Sequence, residues 1–467
     1  MAKGVRASNI GELKQSGYKV LPTRAELRKN LIQRIKSKGE LFPGIIGYED
    51  TVIPQIQNAL LAGQDIIFLG ERGQAKSRLI RSLTALLDDQ IPIVEGCEIN
   101  DNPYDPICKA CREKVARSGD HTPIAWIAPE DRYAEKLATP DITVADLIGE
   151  IDPIRVAEGR YLSDELVIHY GLIPRTNRGI FCINELPDLA ERIQVGLFNL
   201  MEERDIQIKG YRVRLPLDVY VVASANPEDY TNRGRIITPL KDRYGAQIRT
   251  HYPRSLDQEI TIVEQERTRF DELGNIVLVP PYMREIIAEI TSLARRSPDI
   301  NQRSGVSVRV SIANMETVIA NAYRRATMLG EDKAAPRISD LAYILPSTTG
   351  KIELETVEEG REGRILEELT KKALLNVFGR YFAISDFTAF LKPFEEGQTV
   401  EASDMLPISH YLEVAKNYPA LSQPVKRLGA GEHPATVASA VEFILEGLHL
   451  NRRLNRERVE GRYRYRS

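Results

Sequence analysis

The sequence predicts an α/β fold built on a parallel sheet, on three observations. First, D-I-I-F-L-G-E-R-G-Q-A-K-S, Asp65 to Ser77, runs an apolar strand, Ile66 to Leu69, into a glycine-containing turn, and Arg78 to Leu87 then has helical periodicity. Second, two more wholly apolar runs, Ile180 to Ile183 and Val219 to Ala223, end in polar residues, Asn184-Glu185 and S-A-N-P with Asn226. Third, Ile91 to Val94 and Gln247 to Tyr252 read as further strands, enough for a five-stranded parallel sheet. In such a sheet ligands bind at the carboxyl ends of the strands, so Asn184, Glu185 and Asn226 are expected to face the turn after Leu69.

That turn has the chemistry of a phosphate loop. A phosphate chain calls for converging backbone N–H groups, a lysine as point charge and a hydroxyl for Mg2+. Gly70, Glu71, Arg72, Gly73, Gln74, Ala75, Lys76, Ser77 and Arg78 cover these needs, with Lys76 and Ser77 as the cation and the hydroxyl. The usual pattern is G-x-x-x-x-G-K-[ST], and Ala75 stands at its second glycine; alanine fits there if the position has helical φ. An acidic residue at the Glu185 position can polarise an attacking water, and its neighbour Asn184 can hold the Mg2+ hydration shell. Asn and Glu are also good helix caps, so the pair alone does not exclude a plain strand-to-helix connection.

Composition bounds the rest. The chain has 467 residues, 28% charged and 42% hydrophobic, with a net charge of −3. It is long enough for about three domains, and no global field recruits nucleic acid or membrane. No apolar run reaches the ~18 residues of a membrane span, and Met1 to Asn9 lacks a signal peptide's apolar core, so the cytoplasm is the expected compartment. Four cysteines do not make a disulfide framework.

Residues 1–40 are polar and basic, with a helix expected from Thr23 to Lys36 whose apolar face is Leu27, Leu31, Ile32 and Ile35. Ile46 and Gly47 precede a helix and suit the wall of an adenine site; the same residues also read as a plain turn. Residues 41–255 form the nucleotide-binding α/β domain, and D-I-Q-I-K-G-Y-R-V-R-L within it predicts a hairpin around Lys209-Gly210. Beyond Tyr252 the pattern turns helical. Met283, Ile286, Ile287 and Ile290 form one stripe, and Ile312, Met315, Val318 and Ile319 another, giving a helical domain over 256–350. Residues 351–467 are expected to be mostly helical, with a basic tail from Arg452 to Arg466 read as a solvated terminus rather than a nucleic-acid contact.

The ordered motifs resemble a known family. The phosphate loop, L-I-G-E-I-D-P-I-R, R-G-I-F-C-I-N-E, the hairpin, S-A-N-P-E-D-Y and P-L-K-D-R-Y together resemble the AAA+ ATPase subunit of magnesium chelatase and its MoxR-like relatives, over residues 42 to 345. The resemblance implies an AAA+ P-loop αβα sandwich, a helical lid, ATP and Mg2+ as cofactors, and a homo-hexameric ring. It implies Glu185 as catalytic acid, Asn226 as the residue positioning water, Arg243 as a finger offered to a neighbouring subunit and Arg309 as the lid arginine. A protein partner is implied too, such as a von Willebrand A domain protein, with the hairpin facing the pore or the client. Asn184 departs from the family, which usually has Asp there. Four readings follow: a MoxR-like remodelling ATPase; a metal-chelatase ATPase subunit; a sigma-54 transcription activator, whose G-A-F-T-G-A loop this sequence lacks; and a nucleotide-binding scaffold with little hydrolysis.

Cys97, Cys108, Cys111 and His121 offer one C-x-x-C, a third sulfur and an imidazole, a set that could hold structural zinc. Free thiols are the commoner reading of so few cysteines, and Cys182, inside an apolar strand, belongs to the core.

Overall fold

The computed structural model describes every residue except 1–5, 153, 155–156, 158–164, 208–213, 227–233, 270–275, 356–359 and 460. The chain divides into two compact units, Met1–His251 and Tyr252–Ser467.

The first unit is organised on five parallel strands: β1 (Ile66–Leu69), β2 (Tyr133–Leu137), β3 (Gly179–Asn184), β4 (Val219–Ala225) and β5 (Ala246–Arg249). Their order is β5-β1-β4-β3-β2. Register pairs Ile66 with both Val222 and Ala246, Val219 with Gly179, and Tyr133 with Ile180.

The apolar runs of β1, β3 and β4 are continuous because both faces of the sheet are covered. Alternate residues supply two separate cores. Ile66, Phe68, Ile180, Cys182, Tyr220 and Val222 pack on one side. Ile67, Phe181, Ile183, Val219, Val221 and Ala223 pack on the other. Burying a side chain such as Phe68 or Phe181 contributes about 1.5–3 kcal/mol.

On the first side lie helices α1 (Thr23–Lys36), α2 (Val52–Ala62) and α3 (Lys76–Ser82), the last continuing as a 3-10 turn over Leu83–Leu86. The expected apolar face of α1 is half right: Leu27 and Leu31 are buried, whereas Ile32 and Ile35 are exposed. A buried ion pair completes the dock, Arg132 to Glu26 at 2.6 Å. Arg132 directly precedes β2, so this pair ties helix α1 to an edge of the sheet.

One strand assignment needs correction. Ile91–Val94 is a strand, but it pairs antiparallel with Ile124–Ile127 in a separate ribbon. The fifth strand is instead Y-A-E-K-L, β2, whose polar residues give no apolar run; as an edge strand it pairs only with β3. The hairpin is present at its base, where Asp205–Gln207 pairs with Arg214–Pro216. Its tip, with Lys209, Gly210 and Tyr211, lies outside the described residues.

The second unit is mainly helical. Helices Pro281–Ala294 and Arg309–Leu329 carry the two predicted stripes, and Arg361–Tyr381 and Pro434–Leu450 follow. One hydrophobic core runs from Val263 to Tyr465, shared by residues 256–350 and 351–467. Tyr282, from the first of these stretches, stacks on Phe443 of the second at 4.7 Å and donates to Ser439 at 2.6 Å. The basic tail is not a frayed terminus. Asn455–Val459 and Arg462–Arg466 form an antiparallel hairpin that also pairs with Val400–Ala402. Tyr465 is buried and donates to Glu446, and Arg456 pairs with the same carboxylate at 2.8 Å. Among the described residues no helix is long and apolar enough to cross a membrane.

Candidate functional site

Three strand ends build the site. β1 leads into the loop Gly70–Ala75, β3 ends at Asn184 with Glu185 next, and β4 ends at Ala225 with Asn226 next. Because β4 lies between β1 and β3, its terminal Asn226 stands between the loop and Glu185. The Lys76 ammonium donates to Asn226 Oδ1, to the Gly70 carbonyl and, at 2.9 Å, to the Glu71 carbonyl. Asn226 Nδ2 donates to Glu185 Oε2 at 2.6 Å. An ammonium, an amide and a carboxylate thus form one chain across the strand ends.

The loop is held from behind. Tyr48 donates to the Gln74 carbonyl at 2.9 Å and to the His251 carbonyl at 2.8 Å, and burial pushes its hydroxyl pKa up to about 12. Gln74 Oε1 accepts from the Glu71 amide at 3.1 Å and from Thr250 Oγ1 at 2.6 Å. Gly70 must be glycine here, since a Cβ would stand 1.9 Å from Thr250 Oγ1. Gly47 has φ of +83°, and its amide donates to Glu49 at 3.1 Å, with Ile46 half-buried beside it.

Ala75 is not in the helical region that would make alanine easy. Its φ is +55° and ψ is +19°, left-handed, so this position retains the conformation that favours the glycine of the usual pattern. Holding a non-glycine residue there costs about 1–2 kcal/mol. Glu185 is also left-handed, at φ +54°, and this turn carries its side chain away from the strand direction toward Asn226.

Asn184 is engaged by protein groups. Its Nδ2 donates to Glu135 on β2, and its Oδ1 accepts from Ser224 Oγ at 3.0 Å. Glu135 in turn takes two hydrogen bonds from Arg81, at 2.7 and 3.0 Å, and one from Tyr133 at 2.9 Å. The Arg81 guanidinium, chiefly, holds the Glu135 carboxyl below the usual carboxylate range. A second carboxylate therefore stands next to the amide at the end of β3. Sequence reasoning missed Glu135, Arg81 and Tyr48: the first two gain meaning only when β2 pairs with β3, although Tyr48 directly follows the Ile46-Gly47 pair.

The oxygen donors assembled here fit the proposed cofactors. Ser77 is exposed in the first turn of α3, one helical turn before Arg81, while Asn184, Glu185 and Glu135 supply amide and carboxylate oxygens of the kind hard divalent cations take. Lys76 is mostly buried beside Asn226, where a phosphate oxygen would find its charge little screened. Arg72, on the loop, and Arg78, in the first turn of α3, are both exposed.

Arg243 ends the helix Thr238–Arg243. It pairs with Glu202, donates to the Pro239 carbonyl at 2.8 Å and lies over the Phe198 ring at 4.6 Å. Arg309 opens the helix Arg309–Leu329 in the second unit and is exposed.

The cysteine set is partly corrected. Cys97, Cys108 and Cys111 converge, but the fourth member is Asp101, with all four ligand atoms within 4.8 Å of one another. His121 ends the turn Gly119–His121, beyond helix α4 (Lys109–Ser118), and is not in the cluster. Burial, with the neighbouring Cys97, raises the Asp101 carboxyl to about 6.

No family model matches the chain. It is 28% identical over 246 residues to magnesium-chelatase subunit ChlI-2 of Arabidopsis thaliana, 49% of this chain and 53% of the relative. The magnesium-chelatase 38 kDa subunit of Cereibacter sphaeroides is 26% identical over 48% of this chain and 62% of its own length. Subunit ChlI of Nostoc is 23% identical over 72% and 90%. The chain thus spans about half to two thirds of the length of the first relatives it matches. Among solved structures, a BchI and BchD magnesium-chelatase reconstruction aligns at TM-score 0.36 and 19% identity, covering 72% of this chain and 95% of that one.

Proposed function

We propose that this chain, similar over about half its length to magnesium-chelatase subunit I, is an AAA+ P-loop ATPase that binds and hydrolyses ATP with Mg2+ to drive a change in a partner protein. The observation that carries this reading is the chain Lys76, Asn226, Glu185 at the ends of three neighbouring strands. Each member has a separate task. Lys76 is the positive charge for the β and γ phosphates. Asn226 orients both Lys76 and Glu185, and Glu185 takes the proton of the attacking water. Bound ATP would supply the scissile phosphoanhydride, and Ser77 and Asn184 would hold Mg2+ and its hydration shell, with Glu135 orienting Asn184.

Arg243 is proposed as the finger toward a neighbouring subunit, and Arg309 as the lid arginine. For Arg243 this requires exchanging its contact with Glu202 for a phosphate on assembly, which a ring, here proposed as a hexamer, would provide. The relatives are named as subunits of magnesium chelatase, which supports the chelatase reading over a MoxR-like chaperone acting on a von Willebrand A domain partner. In both readings the work is done on another protein.

The test is a Glu185→Gln variant used as a trap: it should bind a fluorescent ATP analogue, turn ATP over at most at about 1% of the native rate, and retain a client in a pull-down with ATP. Unchanged turnover would remove Glu185 from the reaction and overturn the site.

A further inference from the structure

We propose that Cys97, Asp101, Cys108 and Cys111 form a mononuclear zinc site that fastens the end of the strand Ile91–Val94 to the first turn of helix α4. The three sulfurs and one carboxylate oxygen lie within 4.8 Å of one another. A tetrahedral zinc with Zn–S of about 2.3 Å sets its ligand atoms about 3.8 Å apart, so small side-chain adjustments close the shell. No other described group of three or more histidine, cysteine or carboxylate side chains converges in this way.

The Asp101 carboxylate provides an independent pointer. It is fully buried, and its Oδ2 accepts the Cys108 amide at 3.0 Å, whereas its Oδ1 has no hydrogen-bond partner. A buried carboxylate oxygen without a partner costs free energy that a cation removes. The sulfurs are already dressed as ligands. Cys97 Sγ accepts the amides of Ile99 and Asp101 at 3.4 and 3.3 Å, and Cys108 Sγ accepts the Cys111 amide at 3.3 Å. Such outer hydrogen bonds orient and stabilise thiolates on a metal.

Ligand softness selects the ion. Three thiolates favour zinc over Mg2+ or Ca2+, which take oxygen, and four protein ligands close the shell as in a structural rather than a hydrolytic centre. The site lies in the long connection between the ribbon strands Ile91–Val94 and Ile124–Ile127, which joins the core through buried Ile99, Cys108 and Cys111, with half-buried Ile107 and Val115 against it. Zinc would tie the start of that connection to helix α4 at one point.

Metal analysis of the full-length chain, purified without chelator from zinc-supplemented cells, should give about one zinc per chain. Replacing zinc by Co2+ should produce the intense visible bands of tetrahedral cobalt and sulfur-to-cobalt charge transfer. Cys111→Ser and Asp101→Asn should each lower zinc affinity by about tenfold or more, while His121→Ala should retain full occupancy. Because the native protein is measured first, a variant that fails to fold does not blunt the test. A zinc-free native protein, iron in place of zinc, a disulfide among the three cysteines, or zinc lost in His121→Ala but kept in Asp101→Asn would each overturn the proposal.

Discussion

Asn226 donates its side-chain amide to Glu185 at 2.6 Å, and its carbonyl oxygen receives the Lys76 ammonium. One amide from the middle strand of three thereby sets the distance between the residue for phosphate and the residue for water. Asn226 is buried, so neither contact is exchanged freely with solvent.

Replacing Asn226 by alanine should separate binding from turnover. Lys76 keeps its charge and its loop carbonyls, so affinity for an ATP analogue should fall no more than about tenfold. Turnover should fall by about 10²–10³-fold as Glu185 loses its orientation. Lys76→Ala should instead abolish detectable binding. Equal losses of binding in the two variants would show that Asn226 serves only to hold the lysine.

Asn184→Asp should destabilise the protein. The new carboxylate would face Glu135, where the amide now donates, and like charges at about 4 Å with an effective dielectric of 20 repel by up to about 4 kcal/mol before relaxation. A loss of about 1–3 kcal/mol in urea unfolding without Mg2+ is expected, recovered in the double variant Asn184→Asp with Glu135→Gln. Equal stability of the single variant and the native chain would show that the Glu135 contact does not hold in solution.

Ala75→Gly should stabilise the loop. Relief of the left-handed alanine contributes about 1–2 kcal/mol, and the more flexible unfolded glycine takes back about 0.4–1 kcal/mol. A net gain of about 0.5–1 kcal/mol is the expected result; a loss of that size would place Ala75 in the right-handed region in solution.

The Glu135 carboxylate has a lowered pKa, so its contribution is fully present above its unfolded value near 4.5 and is lost as pH falls through the lower folded value. Arg81 is about two thirds exposed, which limits the pair to about 1 kcal/mol or less. Glu135→Gln should therefore be less stable than the native protein at pH 7 and converge with it as the pH falls below the unfolded carboxylate value. A gap that widens on acidification would contradict the sign.

Glu26→Ala should cost about 3–5 kcal/mol, because it leaves Arg132 charged and buried. Replacing Glu26 and Arg132 together by Gln and Met should recover part of it. A loss below 1 kcal/mol for the single variant would mean that water reaches the guanidinium.

The sequence by itself determined which polar residues meet at the ends of the strands. A buried parallel strand is a continuous apolar run, and the polar residue that ends it must lie at the sheet edge, so Lys76, Ser77, Glu185 and Asn226 could be placed from local pattern alone. Helix α1 was legible by its apolar period from Thr23 to Lys36, though its exposed flank was not. Only the tertiary structure decided the rest, and for one physical reason: pairing between distant segments leaves no local period. Glu135 becomes a neighbour of Asn184 only when β2, an edge strand with little apolar character, joins β3. Tyr463 and Tyr465 look like a basic tail's ornaments until Arg462–Arg466 pairs with Val400–Ala402 and buries Tyr465 against Glu446. Asp101 displaces His121 from the cysteine cluster because the loop folds back on helix α4, a closure that spacing in the chain does not encode.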